Sequence, residues 1–151
     1  MKMKAKEYLQ QIELLDEMID EKQNEYDSMR ILLSSPGGID YSQEKVQTSP
    51  QDSMSKIVSR YIDLQAEINA DIDYFADVKD KVINQIHGLR DIRYVKLLHK
   101  KYIKYKSLEL IAVEMRYNYD YMRELHGYAL QAFERKYPDL RKFPTRSHKK
   151  V

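Results

Sequence analysis

Two short helical patterns follow each other closely in "SLELIAVEMRYNYDYMRELHGYAL", residues 107–130. Ser107 is a favourable N-cap residue for a helix over 108–115, because its hydroxyl can accept a hydrogen bond from a free amide of the first turn. Asn118 can cap a second helix in the same way, so only a short turn separates the two helices. A capped helix, a tight turn and a second capped helix predict a helix-turn-helix motif.

The apolar residues of both predicted helices recur at helical spacing, which defines the faces that we expect to be buried. They are Leu108, Ile111, Ala112 and Met115 in the first helix, and Met122, Leu125, Ala129 and Phe133 in the second. The preceding stretch "DIRYVKLLHKKYIKYK", residues 91–106, predicts a supporting helix with basic side chains off its apolar face. Residues 90–137 are therefore predicted to form one helix-turn-helix domain.

The second helix of this motif, predicted over 119–135, has polar and aromatic side chains on its outward face. Arginine can bond guanine through two hydrogen bonds and carboxylates can accept from cytosine N4, so this face is suited to reading base edges. Double-stranded DNA is the predicted partner. The predicted base contacts are Tyr119, Asp120, Arg123 and Glu124, and the predicted phosphate contacts are Lys100, Lys104, Lys106, Arg116 and Tyr121.

Charge is divided unevenly along the chain, although the net charge of all 151 residues is only +2. Residues 1–90 hold 11 Lys and Arg against 17 Asp and Glu, a net charge of −6. Residues 91–151 hold 15 Lys and Arg against 7 Asp and Glu, a net charge of +8. A basic C-terminal part suits a polyanion such as DNA. Its last segment, 138–151, is predicted to be a disordered basic tail that adds phosphate contacts.

Two long helical patterns precede this domain, an acidic one over 1–33 and a second over 54–89. Pro and Gly residues in 34–53 predict a linker, which is either a flexible hinge or an ordered arm docked on a helix. Apolar residues three and four positions apart in both long helices predict a coiled-coil-like hairpin that forms a homodimer. The predicted oligomer seam consists of Tyr8, Ile12, Leu15, Ile19, Ile68, Ile72 and Phe75.

The sequence therefore predicts an all-α fold, a long helical hairpin followed by the helix-turn-helix. The absence of cysteine excludes disulfides, thiol catalysis and zinc–thiolate sites. No apolar run approaches the ~18 residues of a membrane span, so we predict a cytoplasmic protein without a membrane partner. The four histidines lack metal-ligand spacing, and no phosphate-binding glycine loop or Ser/His/Asp order is present. We therefore predict no metal, no cofactor and no enzymatic activity.

The stretch "SLELIAVEMRYNYDYMRELHGYALQAF", residues 107–133, resembles the region-4 helix-turn-helix of sigma-70-type factors. With its acidic helices and its length, the whole chain is similar to the sigma-region-4-like, ArpU-type regulators of phages and prophages of Gram-positive bacteria. This resemblance implies control of late genes in a bacterial host, a contact with host RNA polymerase, and base contacts at the four positions given above. The family pattern favours Arg where Tyr119 and Tyr121 stand, so it does not imply the −35 promoter element as the target. The matching positions are Leu108, Ile111, Ala112, Met115, Asn118, Met122, Arg123, Leu125, Ala129, Leu130 and Phe133.

Three functions remain open from the sequence. The favoured one is a phage-type, sequence-specific DNA-binding transcriptional regulator that dimerises through its long helices. The second is a small terminase subunit, which recognises DNA for packaging and joins a helix-turn-helix to coiled-coil helices in a ring. The third is a helical adaptor whose helix-turn-helix binds protein. The particle mass in solution distinguishes the first two functions, because a dimer favours the regulator and a large ring favours packaging.

Overall fold

The computed structural model of the protein describes residues 2–34 and 50–144. These residues form five α-helices and one π-helical segment, which confirms the predicted all-α class. The helices are α1 (Ala5–Ser34), α2 (Pro50–His87), α3 (Ile92–Leu98), α4 (Leu108–Met115) and α5 (Tyr119–Lys136), and the π-helical segment His99–Ile103 continues α3.

Helices α1 and α2 pack as a hairpin, as predicted, and the shorter helices follow them. Helix α2 begins at Pro50, earlier than the predicted start at residue 54. Proline is tolerated in the first turn of a helix because the amide hydrogen that it lacks has no acceptor there. The rest of the predicted linker, residues 35–49, lies outside the described residues. The two interpretations of the linker, a flexible hinge and an ordered arm docked on a helix, therefore stay predictions.

The chain divides into two compact units, the first made of Met1–Asp16 and Tyr74–Arg146, the second containing Glu17–Asp73. The predicted domain boundary at residue 90 does not coincide with this division. The start of α1 and the end of α2 belong to the same unit as the shorter helices, because their apolar side chains share one core. Sequence spacing identifies an apolar stripe, but it does not show which other helix covers that stripe.

The core of the first unit brings together side chains from all five α-helices, and several of them are fully buried. Burying each large apolar side chain stabilises the fold by ~1.5–3 kcal/mol. Tyr8 and Ile12, which the sequence assigned to an oligomer seam, are 3% and 0% exposed in this core. The same chain already covers both side chains, so a second copy cannot contact them in this fold. Leu15 and Phe75, of the same predicted seam, are partly buried against this core.

The second unit contains the remaining lengths of α1 and α2. The rings of Tyr26 and Tyr61 stack with their centroids 4.4 Å apart. Lys22 interrupts the apolar stripe of α1, and its ammonium group lies 2.5 Å from the carboxylate of Asp71. Of the other predicted seam residues, Ile68 is 4% exposed and Ile72 is 46% exposed, while Ile19 is half-buried. Ile72 therefore remains accessible to a second copy.

Residues 138–144 differ from the disordered tail that the sequence predicts over 138–151. Leu140 is buried, and its carbonyl accepts a hydrogen bond of 2.9 Å from the amide of Met3. The amide of Phe143 donates to Oε1 of Gln11 at 2.6 Å, and its ring packs against Tyr8 with centroids 5.2 Å apart. Apolar residues within the basic tail thus anchor its first part to α1. Residues 145–151 lie outside the described part of the chain.

Candidate nucleic-acid interface

Two side-chain caps and one left-handed residue define the connection between α4 and α5. The hydroxyl of Ser107 accepts from the amide of Leu110 at 3.2 Å, and Oδ1 of Asn118 accepts from the amide of Tyr121 at 2.8 Å. Both predicted caps and the predicted bounds of α4 are confirmed. Between the helices, Arg116 adopts φ 61° and ψ 43°, the left-handed conformation that commonly ends a helix. Only residues 116–118 connect the two helices.

The apolar faces predicted for these two helices are oriented toward the core. This packing fixes α5 against α3 and α4 and leaves its opposite face in solvent. A rigid helix with one free face is a suitable support for recognition of a ligand. The predicted apolar residues that are buried are Ile111, Ala112, Met122, Leu125, Ala129 and Phe133, and Leu108 and Met115 are half-buried.

All four predicted base-contacting residues lie on the exposed face of α5, near its N-terminal end. Tyr119 is 41% exposed, and the guanidinium of Arg123 lies 5.8 Å from the centroid of its ring, a cation–π contact. Asp120 and Glu124 are also exposed. Within the described part of the chain, no hydrogen bond engages the side chains of Asp120, Arg123 or Glu124. Their donors and acceptors are therefore free for a ligand.

Basic side chains from α3, from the π-helical segment and from the two connections that flank α4 line a surface that we call the basic groove. It consists of two adjoining depressions of about 360 and 490 Å³ that share Ile92, Lys96 and Lys100. Ile92, between these basic side chains, is 61% exposed. The groove reaches the turn between α4 and α5. The basic residues that line it are Arg93, Lys96, Lys100, Lys104, Lys106 and Arg116.

The groove brings together four of the five predicted phosphate contacts, namely Lys100, Lys104, Lys106 and Arg116. It adds Arg93 and Lys96, which were not among the predicted contacts. The spacing of basic residues at positions 93, 96, 100 and 104 follows the helical period and could have identified them. The groove also contains an acidic side chain, that of Glu114. No feature of the sequence predicted that Glu114 would lie there.

The carboxylate of Glu114 lies between two of the lysines. Its Oε1 accepts from Nζ of Lys100 at 2.8 Å, and its Oε2 accepts from Nζ of Lys106 at 2.8 Å. Hydrogen bonds from Lys100 and then from Lys106 lower the pKa of the Glu114 carboxyl. By contrast, the side chains of Lys104 and Arg116 are exposed and have no polar partner among the described residues. These four predicted phosphate contacts thus divide into two that are already paired, Lys100 and Lys106, and two that have no polar partner among the described residues, Lys104 and Arg116.

Tyr121, the fifth predicted phosphate contact, is half-buried and bonded to Arg93. Nη1 of Arg93 donates to the Tyr121 hydroxyl at 2.7 Å, while Nη2 donates to the Asp91 carboxylate at 2.7 Å. The hydrogen bonds from Arg93 lower the pKa of the Asp91 carboxyl, which also caps α3. The Tyr121 hydroxyl accepts from Arg93 and so keeps its own hydrogen for donation to a ligand.

The π-helical segment was not predicted, although it shapes this surface. In it, the amide of Lys104 donates to the carbonyl of His99 at 3.1 Å, five residues earlier. Tyr105 follows with φ 59°, a left-handed conformation that is uncommon for tyrosine. Together these two features turn the chain so that Lys100 and Lys106 both reach Glu114. Single π-turns are rare and are found often at functional sites.

Other kinds of site have less support in the described residues. No group of three or more His, Asp or Glu side chains in this part of the chain could hold a metal ion. Among the same residues, no helix is both long and apolar enough to cross a lipid bilayer.

No protein-family model, curated protein or solved structure matches this chain. The likeness to region 4 of sigma-70-type factors therefore remains a resemblance of the quoted residues. The function has to be argued from the exposed face of α5 and from the basic groove beside it.

Proposed function

We propose that this protein is a sequence-specific DNA-binding transcriptional regulator, in which α4 and α5 act as a helix-turn-helix and α5 enters the major groove. The observation that carries the proposal is the exposed face of α5, where no hydrogen bond among the described residues engages the side chains of Asp120, Arg123 and Glu124. The major groove presents a distinct set of donors and acceptors for each base pair, which such side chains can read.

The basic groove supports the same proposal, because it borders the turn that leads into α5. Arg116 and Tyr117 line it at this point, immediately before the N-cap of the helix. A helix that reads bases needs contacts with the phosphate backbone on either side, which fix its position on the duplex. Lys104 and Arg116, which are free, are suited to this purpose, and Lys96 extends the surface along α3.

The remaining parts of the proposal concern partners. We propose that the protein forms a homodimer through exposed apolar residues of α2, among them Ile62 and Ile72, which are 58% and 46% exposed. We also propose that it contacts host RNA polymerase, through the exposed edge of α4 at Leu110 and Val113, which are 46% and 74% exposed. Control of phage late genes in the cytoplasm of a bacterial host follows from the resemblance alone.

Selection of bound sequences from a pool of random duplex DNA tests the proposal directly. We expect one motif to be enriched, with a length that a single helix or two related half-sites can contact. Loss of enrichment with Arg123→Ala would assign the selected bases to α5. Failure of the parent protein to enrich any motif would contradict sequence-specific binding.

In vitro transcription from a phage late promoter, with purified host polymerase, tests the regulatory part. We expect the amount of transcript to change when the protein is added. An unchanged transcript, combined with a large ring in solution and co-purification with a packaging motor, would instead indicate a small terminase subunit. Binding to a host protein without any binding to DNA would indicate an adaptor.

A further inference from the structure

Glu114 and the two lysines beside it form a small cluster with a definite geometry. One carboxylate accepts hydrogen bonds from two ammonium groups, Oε1 from Lys100 and Oε2 from Lys106, each at 2.8 Å, and the Lys106 ammonium group also lies 3.1 Å from Oε1. All three side chains are partly exposed, with 29% of the surface of Lys100, 28% of Glu114 and 32% of Lys106 accessible to solvent. The cluster is therefore accessible to a ligand from solvent.

The two lysines are brought to this carboxylate by different parts of the backbone. Lys100 belongs to the π-helical segment, and Lys106 follows the left-handed Tyr105. Their convergence on one anion does not depend on a shared helix face. A DNA phosphate presents the same chemistry as the carboxylate, an oxyanion that can accept from two ammonium groups at once. The cluster is thus preorganised for an oxyanion, and Glu114 supplies one from within the chain.

We propose that Glu114 occupies the position of a DNA phosphate and competes with the backbone of the duplex for Lys100 and Lys106. This inference rests on the proposed DNA-binding function. In the free protein, the carboxylate keeps two of the predicted phosphate contacts occupied, whereas Lys104, Arg116 and the neighbouring Lys96 are exposed and have no polar partner among the described residues. A phosphate reaches the two lysines only where it outcompetes the carboxylate, so the parent complex neutralises fewer phosphates on average. Glu114 therefore limits the affinity of the protein for DNA of any sequence.

The size of this effect follows from counterion release. Each phosphate that a protein neutralises changes the slope of log K against log salt by about −0.9. Lowering the salt concentration from 1 M to 0.1 M therefore raises the contribution of one phosphate contact to the affinity by about eightfold. Removal of the Glu114 charge frees two lysines, so the slope should steepen by about 0.9 to 1.8.

The test measures the affinity of Glu114→Gln and of the parent protein for a short fluorescent duplex of unrelated sequence, over a range of salt concentrations. Glu109→Gln is the matched control, because Glu109 lies on the same helix, is exposed and has no polar partner among the described residues. We expect Glu114→Gln to bind more tightly with a steeper salt slope, and Glu109→Gln to differ from the parent by less than about twofold. Addition of Lys100→Gln and Lys106→Gln to Glu114→Gln should abolish the gain.

Equal effects of the two glutamate substitutions would overturn the inference, because the gain would then reflect net charge alone. A weaker affinity of a folded Glu114→Gln protein, with an unchanged melting temperature, would also overturn it and would show that the carboxylate positions the lysines for DNA. The proposed function itself fails in a different way, namely if neither the parent nor Glu114→Gln binds any duplex at low salt.

Discussion

The hydroxyl of Tyr102 lies 2.7 Å from Nε2 of His126, and the two groups share a hydrogen bond between the π-helical segment and α5. Burial lowers the pKa of the His126 imidazole to about 4, and the charges of Lys101 and Lys6 act in the same direction. Burial also raises the pKa of the Tyr102 hydroxyl. Both groups are therefore neutral at pH 7, and α5 is attached to its support by an uncharged pair.

This pair makes the stability of the fold dependent on pH. In the unfolded chain, the imidazole has a pKa of about 6.5, so the unfolded state binds a proton more readily than the folded state. The contribution of His126 is fully present above pH ~6.5 and is lost as the pH falls toward about 4. The full shift corresponds to ~3.4 kcal/mol, and because the ring is partly exposed we expect a loss of roughly 2 kcal/mol.

Urea denaturation at a series of pH values measures this loss. The variant His126→Gln should lose a corresponding part of the pH dependence between pH ~6.5 and ~4. The variant His87→Gln, which alters an exposed histidine, should retain the pH dependence of the parent protein. If His126→Gln and the parent give parallel curves of unfolding free energy against pH, the imidazole is not the titrating group.

A second prediction concerns the reading of bases by α5. Arg123→Ala should relax the preference at one base pair of the selected site and cost ~1–3 kcal/mol of binding free energy. Arg135→Ala changes the same residue type in the last turn of α5 and should leave the preference intact. Competition between the selected duplex and single-base variants measures both effects. An unchanged preference in Arg123→Ala would show that this arginine does not read the base.

A third prediction concerns Lys104, a lysine of the basic groove that has no polar partner among the described residues. Lys104→Ala should weaken binding to all DNA sequences about equally, because a phosphate contact carries no base information. The slope of log K against log salt should fall by about 1. Lys2→Ala removes the same charge at an exposed position outside the groove and serves as the control. Equal salt slopes for the two variants would place the phosphate contacts elsewhere on the protein.

A fourth prediction separates the core from the proposed dimer contact. Ile12→Asp should unfold the protein, because an unpaired carboxylate would be buried where the parent side chain is 0% exposed. Ile72→Asp should leave the fold intact and lower the mass in solution from dimer to monomer, because Ile72 is 46% exposed. Glu17→Lys, on the exposed acidic face, should change neither property. Light scattering at micromolar concentration measures the mass, and a folded monomeric parent protein would disprove the dimer.

A fifth prediction compares two glycines with opposite surroundings. A Cβ atom at Gly88 would collide with the Tyr137 hydroxyl, which donates to the carbonyl of Gln85 at 2.8 Å. Gly88→Ala should therefore destabilise the fold by ~1–3 kcal/mol, as overpacking usually does. A Cβ at Gly127, within α5, would meet no atom within 4 Å. Gly127→Ala should stabilise the fold by ~0.5–1 kcal/mol, since alanine favours the helix.

Thermal or urea unfolding of both variants tests this contrast. Tyr137→Phe removes the colliding hydroxyl and should recover part of the loss in Gly88→Ala. Equal stability changes in the two glycine variants would contradict the surroundings that we describe. A Gly127→Ala protein that is more stable and yet binds the selected DNA less tightly would indicate that the duplex approaches the backbone of α5 closely.

Features set by neighbouring residues could be predicted from the sequence. The caps at Ser107 and Asn118 and the bounds of α4 depend on residues within one helical turn, and the periodic apolar spacing gave the buried face of α5. The sequence could not predict the burial of Tyr8 and Ile12 in the chain's own core, because a stripe of this kind fits an intermolecular seam equally well. The ordered start of the tail depends on the contact of Leu140 with Met3, which has no local signal.

The candidate site was predictable to a similar extent. Exposure of the polar residues on α5 follows from helical period, and the clustering of basic residues follows from composition. The position of Glu114 between Lys100 and Lys106 could not be predicted, because it requires the π-helical segment and the left-handed Tyr105. Neither backbone feature has a residue pattern that distinguishes it from an ordinary helix end.

The contacts at the start of α1 have a consequence for synthesis on the ribosome. The amide of Ala5 donates to Oε1 of Glu134 at 2.8 Å, and the amide of Met3 bonds to the carbonyl of Leu140. These partners are more than a hundred residues apart in the sequence, so Met3 and Ala5 cannot make these contacts until residues 134–140 have been synthesised. Contacts of such long separation slow folding, and incomplete chains expose apolar surface during the delay. A nascent chain released before residue 134 would lack the end of α5 and the partners of Met3 and Ala5, and we expect it to be a substrate for chaperones.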